Sequence, residues 1–248
     1  MHVLLVDNSK PDKSFYTPRL QCLLEEMSTS VRVCKTLEET VSALANRWDA
    51  VVLSGSSLNM TESMRAACVS KALMTMLRCV ETPFLGVCFG MQLMAVAYGG
   101  DVDRLPEPRD GEMHVSATTT SGIAGMAHFS HQDVVTRVPP EFQVDALSDG
   151  IISQMSSPRL ARYGVQFHPE ASTGVARDVV KQFLNIAARS KIDIIGNRIG
   201  SSEYARICLL LGSARAQHVA EFFRLPRAAI EAIWSEFRKR YRIPAILL

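Results

Sequence analysis

Phe84-Leu-Gly-Val-Cys88-Phe-Gly-Met-Gln92 is the stretch on which the reading of this chain turns. Its first four residues are a short buried strand, and Phe89–Tyr98 has the pattern of a helix stopped by Gly99-Gly100. Cys88 stands at the junction, between Gly86 and Gly90. That is the thiol form of the G-x-S-x-G elbow, in which a sharp strand-to-helix turn lifts a nucleophile above the carboxyl end of a sheet. The turn crowds its surroundings, so the residues two before and two after must be small, as Gly86 and Gly90 are. The helix start at Phe89 adds free backbone N–H groups and a positive dipole end, which favour negative charge and can hold an oxyanion. The bland alternative is a buried core cysteine between ordinary turn glycines, because free cysteine is among the most buried residue types. The strand–elbow–helix context favours the nucleophile.

Working outward, the N-terminal part alternates between short apolar runs and helical stretches. His2–Asp7, Val31–Cys34 and Ala50–Leu53 are strand candidates, while the stretches near Phe15–Met27 and Met60–Cys79 are helical. Continuous apolar strands between helices indicate a parallel sheet covered on both faces. After Gly100 the segments alternate more: Met113–Thr118, Val134–Val138, Phe142–Ala146 and Ala161–Phe167, with turns at Pro139-Pro140 and Asp149-Gly150. A helix follows from Val175 to about Ala188. The expected fold is α/β: an open, mostly parallel central sheet flanked by helices, with some antiparallel elaboration and a small helical C-terminal extension.

The chain has 248 residues, 47% of them apolar and 21% charged, which is the balance of a globule with a sizeable core. Length alone allows one large domain or a domain with an appendage. No apolar run approaches the roughly 18 residues of a membrane span, and the N-terminus shows no charged leader before an apolar core. The six cysteines, at 22, 34, 68, 79, 88 and 208, form no CxxC pair. They point to a reducing, cytoplasmic setting rather than to a zinc ribbon or disulfide framework. Charge divides the chain: residues 1–189 carry 17 Lys/Arg and 20 Asp/Glu (−3), and residues 190–248 carry 10 and 5 (+5). The expected division is therefore a main domain at 1–189 and a basic helical extension at 190–248. In the extension Ser202 is a cap candidate, and Pro226 opens a stretch with Ile230, Ile233, Trp234, Phe237 and Tyr241 at helical spacing, its end crowded by Arg238, Lys239, Arg240 and Arg242.

A cysteine nucleophile needs a base that is itself oriented by a third group. Tyr163-Gly-Val-Gln-Phe-His168-Pro-Glu170 supplies both, with His168 delivered at the end of an apolar strand and Glu170 two residues on. His2, His114, His128 and His218 read as structural. His128 and His131 lack a third ligand, so no metal is expected, and no cofactor.

Together, Gly-Val-Cys-Phe-Gly-Met-Gln and Gly-Val-Gln-Phe-His-Pro-Glu resemble the class I, triad-type glutamine amidotransferases, and among these the glutaminase part of GMP synthetase. The resemblance covers roughly residues 1–189. It implies a flavodoxin-like glutaminase fold and hydrolysis of L-glutamine to glutamate and ammonia. Cys88 would form a γ-glutamyl thioester, His168 would act as base and then acid, and Glu170 would orient His168. Gln92 matches the family's glutamine-binding position. Ser130, Gln132 and Asp133, in Phe129-Ser-His-Gln-Asp-Val134, match the stretch that holds the substrate's amino-acid end, although a polar turn between strands would look the same.

The loop Val52-Leu-Ser-Gly-Ser-Ser57 departs from the family pattern. Gly55 remains, Ser56 replaces a second glycine, and no proline follows. The oxyanion donors would be Gly55 or Ser56 together with Phe89. A side chain at 56 restricts φ, which leaves open whether the hole is preformed or waits for a partner. Loss of one such donor costs on the order of 100- to 1000-fold in rate.

No P-loop or dinucleotide fingerprint is present, and the residues after 189 are too few for a nucleotide-activating domain. The ammonia acceptor is therefore expected on a separate synthetase subunit, which by resemblance would form GMP. A γ-glutamyl peptide hydrolase, or a silent regulatory protein on the same fold with the basic tail as its working surface, are the alternatives. For the extension three readings stand: a helix pair packed on the main domain, docking to a synthetase or self-association into a homo-oligomer, and nucleic-acid binding. The last is the least expected, because a charge run is more often a solvated face.

Overall fold

Four short apolar strands build the centre: β1 (His2–Val6), β2 (Ser30–Cys34), β3 (Ala50–Leu53) and β4 (Phe84–Val87). The computed structural model describes residues 1–9, 14–27, 29–44, 46, 48–65, 77–78, 80 and 82–193. The expected helices at Ser202 and Pro226, the later part of the Met60–Cys79 stretch, Cys68, Cys79, Cys208 and His218 lie outside the described residues.

The described strands continue with β5 (Asp101–Ala117), β6 (Gly125–Arg137), β7 (Gln143–Ser148), β8 (Ile151–Ser157) and β9 (Arg162–Val165). They form one sheet in the order β2-β1-β3-β4-β9-β8-β7-β5-β6. β2, β1, β3, β4 and β9 run parallel, and every later neighbour is antiparallel. This is the expected open α/β sheet with antiparallel elaboration.

Both faces of the parallel part are covered. Along β1, Val3 and Leu5 join one apolar cluster with Leu20, Val52, Leu85, Phe167 and Phe183. Leu4 and Val6 join the other, with Val51, Leu53, Met60, Phe84 and Met91. Alternation along a strand sends successive side chains to opposite faces, so a strand buried on both reads as one apolar run. The helices are α1 (Tyr16–Glu26), α2 (Leu37–Leu44), α3 (Met60–Arg65), α4 (Phe89–Ala97) and α5 (Val175–Asp193). α1 buries Leu20, Leu23 and Leu24, and α5 buries Ala176, Val179, Val180, Phe183, Leu184 and Ala187, both at i, i+3, i+4 spacing. α5 continues past residue 189 to Asp193. Among the described residues no helix is long and apolar enough to cross a membrane.

The antiparallel half is longer than its apolar runs suggest. The expected segment Met113–Thr118 is only the end of the 17-residue β5, and Val134–Val138 is the end of the 13-residue β6. Pro106 and Pro108 hide β5 from a pattern search. They sit where the β5–β6 register shifts, between Arg104 and Arg109, so no ladder hydrogen bond is asked of them.

Candidate active site

The elbow exists. β4 ends at Val87, α4 begins at Phe89, and Cys88 between them has φ 50° and ψ −107°. A non-glycine residue there costs on the order of 1–3 kcal/mol and persists only where its surroundings enforce it. The enforcement is visible in the backbone. Cys88 N–H donates to the Val165 carbonyl at 2.7 Å, extending the β4–β9 ladder by one residue. A Cβ on Gly86 would lie 2.5 Å from the Gly90 carbonyl, and one on Gly90 would lie 2.4 Å from the Leu53 carbonyl oxygen. Both glycines are required because backbone meets backbone.

β4 and β9 are parallel neighbours, so their carboxyl ends deliver Cys88 and His168 side by side. Pro169–Ala171 forms a 3-10 turn after His168, and that turn brings Glu170 back to the imidazole. His168 Nδ1 lies 2.8 Å from Glu170 Oε1, with 1% and 0% of the two side chains exposed. The carboxylate accepts from Nδ1–H, which leaves Nε2 as the free ring nitrogen; it is buried and makes no other hydrogen bond among the described residues. Burial alone would lower the imidazole pKa, but Cys88 and then Glu170 overcome it and hold it well above the ordinary histidine value. The His168 turn is also tied down: His168 N–H donates to the His128 carbonyl (2.7 Å), and Ser172 Oγ bridges the His168 carbonyl and His128 N–H.

The polar strand residues expected at the site divide. Phe129-Ser-His-Gln-Asp-Val134 is strand β6 and not a turn. The Ser130 carbonyl faces Cys88 Sγ at 3.8 Å. Gln132 instead receives Arg104 on its side-chain oxygen (2.8 Å) and donates to the Leu105 carbonyl. The buried Asp133 accepts from both N–H and Oγ1 of Thr61, at 2.8 and 2.9 Å, and so anchors the start of α3. Gln92 is buried on α4, its Nε2 donating to the Asp133 carbonyl (2.7 Å) and to Gln166 Oε1 (3.1 Å). Gly55 lies directly on the imidazole: a Cβ there would be 2.8 Å from His168 Cε1 and 3.5 Å from Cys88 Cβ. Ser56 is absent from the positive-φ residues, so its side chain is accommodated in ordinary backbone.

Four further residues border the site: Gln166 and Ser54 lie inside the quoted segments without a role assigned there, and Tyr16 and Asn8 lie outside them. Gln166 Nε2 approaches Cys88 Sγ at 3.5 Å. It stands two residues before His168 near the end of β9, and strand alternation alone puts it on the same side. Tyr16 stacks on His168. Asn8 and Ser54 follow β1 and β3, at the carboxyl ends where an open α/β sheet places its sites.

Residues 12–186 match the family model for glutamine amidotransferase class-I. Similar curated proteins are the GMP synthase [glutamine-hydrolyzing] of Thermobifida fusca, 34% identical over 54% of this chain and 27% of its own length, and that of Geobacillus kaustophilus, 39% identical over 41% and 22%. The chain thus spans about a quarter of the length of these relatives. A single subunit of the GMP synthase [glutamine-hydrolyzing] of Methanothrix thermoacetophila is 37% identical over 46% of this chain and 67% of its own. In fold, the chain is similar to a crystal structure from Thermoplasma acidophilum, described as that of a GMP synthase subunit. That match has a TM-score of 0.66 and 24% identity, and covers 79% of this chain and 98% of the other. With the family model spanning well over half of its residues, the chain belongs to the class-I glutamine amidotransferases.

Proposed function

We propose that this chain hydrolyses the side-chain amide of L-glutamine through a γ-glutamyl thioester on Cys88. The observation that carries the reading is the pairing of a strained, elbow-mounted Cys88 with an imidazole whose Nδ1 is tied to Glu170 and whose Nε2 is free. His168 Nε2 holds the proton drawn from the Cys88 thiol while Sγ attacks the amide carbon, and the amide oxygen becomes an oxyanion. Collapse of that adduct transfers the proton from Nε2 to the leaving nitrogen and releases ammonia. A water then gives its proton to Nε2 and its oxygen to the thioester carbon, and Sγ leaves as glutamate forms. Glu170 holds the ring in the tautomer both halves need and offsets the imidazolium charge.

The oxyanion would be received by the N–H of Gly55 or Ser56 and that of Phe89, the first residue of α4, which has no intrahelical acceptor. The substrate's amino-acid end would lie along the Ser130–Asp133 strand, with Gln92 holding that strand to α4. Ammonia would pass to a separate synthetase, a GMP-forming one by analogy with the relatives' names. Residues 190–248 would form an extension to the 1–189 glutaminase domain.

The test is glutamate release from L-glutamine by wild type, Cys88→Ala and His168→Ala, with γ-glutamyl peptides in parallel. The reading expects glutamine turnover that both substitutions abolish while the fold survives. Turnover of γ-glutamyl peptides alone would replace it with a peptide hydrolase.

A further inference from the structure

The β3–α3 loop has one glycine and no proline, so its residue types do not account for a fixed backbone. We infer that Asn8 and Ser54 are positioning residues: they clasp the Ser54–Gly55 and Gly55–Ser56 peptides so that both N–H groups face Cys88 and the oxyanion hole is preset without a partner. This rests on the glutamine-hydrolysing reading above and names what orients its oxyanion donors.

Asn8 Nδ2 donates to the Ser54 carbonyl at 2.7 Å, and Asn8 N–H donates to Ser54 Oγ at 3.0 Å. The Ser54 hydroxyl then donates its one proton to the Gly55 carbonyl at 2.9 Å. Ser54 N–H is itself held by the Val6 carbonyl at 3.0 Å, and Ser54 is fully buried. The roles are forced. The Ser54 carbonyl only accepts, so the Asn8 amide must turn Nδ2 toward it, and Asn8 N–H occupies the serine oxygen so that its proton goes onward.

Two consecutive carbonyls are thereby drawn to the side of β1. In a planar trans peptide the N–H points opposite to the carbonyl, and no peptide here is cis. β3 lies between β1 and β4, so the opposite side is that of β4, which ends at Cys88. Among the described residues neither the Gly55 nor the Ser56 N–H donates a hydrogen bond. The loop at Gly55 runs close to both catalytic candidates, since a Cβ there would meet His168 and Cys88 alike. Hydrogen bonds supply the rigidity that a proline would supply by closing a ring. Ser56 Oγ adds a last constraint by accepting Leu58 N–H at 3.0 Å.

The experiment compares the full chain with Asn8→Ala and Asn8→Asp; the second keeps the side chain's size and removes its donor. Asn8 is only part-buried, so both variants should fold. Three quantities are read: kcat and KM for glutamine, the rate of Cys88 alkylation by iodoacetamide, and the amide NMR resonances of Gly55 and Ser56. Alkylation is a displacement that needs the thiolate but passes through no oxyanion. The clasp predicts kcat lowered about 10- to 100-fold, with KM changed less than about threefold. That is less than the roughly 100- to 1000-fold of losing an oxyanion donor outright, because the N–H groups are loosened and not removed. It also predicts an unchanged alkylation rate and shifted or broadened Gly55 and Ser56 resonances in both variants. Wild-type kcat with unmoved resonances overturns it, and so does an alkylation rate that falls in step with kcat. If the wild type does not turn over glutamine, the function reading fails and the resonances alone decide the clasp: unmoved, they overturn it.

Discussion

Tyr16 lies flat against the imidazole of His168, with ring centroids 3.9 Å apart and planes 25° from parallel. Gly55 packs against the ring at Cε1, and Glu170 holds Nδ1. The imidazole is therefore fixed in plane and in rotation by two residues distant in the chain, Tyr16 and Gly55, and by Glu170 two residues on. An aromatic face also favours the imidazolium over the neutral ring, by about 0.5–2 kcal/mol depending on exposure.

Removing that face lowers the pKa of His168, so in Tyr16→Ala the alkaline limb of glutamine turnover moves to lower pH. The expected shift is about 0.4–1.5 pH units. Tyr16→Phe keeps the ring and should keep the profile. A pH–rate series on the three proteins decides; an unmoved alkaline limb in Tyr16→Ala means that the stack has no electronic role.

Gly90→Ala drives a methyl into the Leu53 carbonyl, and Gly86→Ala into the Gly90 backbone. Neither neighbour is a flexible side chain, so the elbow must shift. Each substitution is expected to cost about 1–3 kcal/mol in urea denaturation and most of the Cys88-dependent turnover. Full activity in either variant would show that the elbow tolerates widening.

His131 sets an acid limit on stability. Its Nδ1–H donates to the Asp133 carbonyl at 3.1 Å, and its Nε2 is buried without a hydrogen-bond partner among the described residues. Burial above all lowers its pKa to about 4; the Asp133 carbonyl opposes this, the charges of Arg109 and His168 add to it, and the Asp133 carboxylate opposes it weakly. The folded pKa lies below the ordinary 6.5, so between the two the unfolded state binds the extra proton. Stability from this residue is complete above the unfolded value and is lost as pH falls toward the folded one, by about 3 kcal/mol in all. Urea midpoints between pH 4.5 and 7 should fall less steeply for His131→Asn than for wild type. Parallel curves would mean that His131 protonates freely in the fold.

Arg162 is a buried cation with no carboxylate partner among the described residues. It donates to the carbonyls of Leu77, Val80, Thr82 and Leu160 and to Tyr98 Oη, and its guanidinium lies 4.6 Å from the centroid of the Phe84 ring. It staples the chain entering β4 to the chain entering β9. Arg162→Met leaves several buried carbonyls unpaired and should cost on the order of 3 kcal/mol or more. Arg162→Lys should recover only part of that, because an ammonium cannot reproduce the planar fork. Denaturation midpoints for the two variants test the ordering.

The parallel half was legible because burial on both faces leaves a simple trace: His2–Val6, Ala50–Leu53 and Phe84–Val87 are apolar almost throughout, and each is a strand. The elbow was legible because its glycines are demanded within five residues of chain. β5 was not, because a long ribbon exposed along most of its length has no apolar rhythm and carries two prolines at its register shift. The restriction foreseen at Ser56 does not arise, since its backbone stays outside the positive-φ region.

The order of residues by itself determined what is local: which runs extend, where helices start, which positions must be glycine, and which three residues could form a nucleophile, base and orienter. Only the tertiary structure decided what depends on the ends of non-neighbouring strands meeting. The parallel register of β4 on β9 puts Cys88 beside His168. The placement of β3 between β1 and β4 lets Asn8 turn the loop at Gly55 toward Cys88, and the packing of α1 lays Tyr16 on the imidazole. Those contacts join residues dozens of positions apart, and no spacing rule within a strand or helix reaches that far.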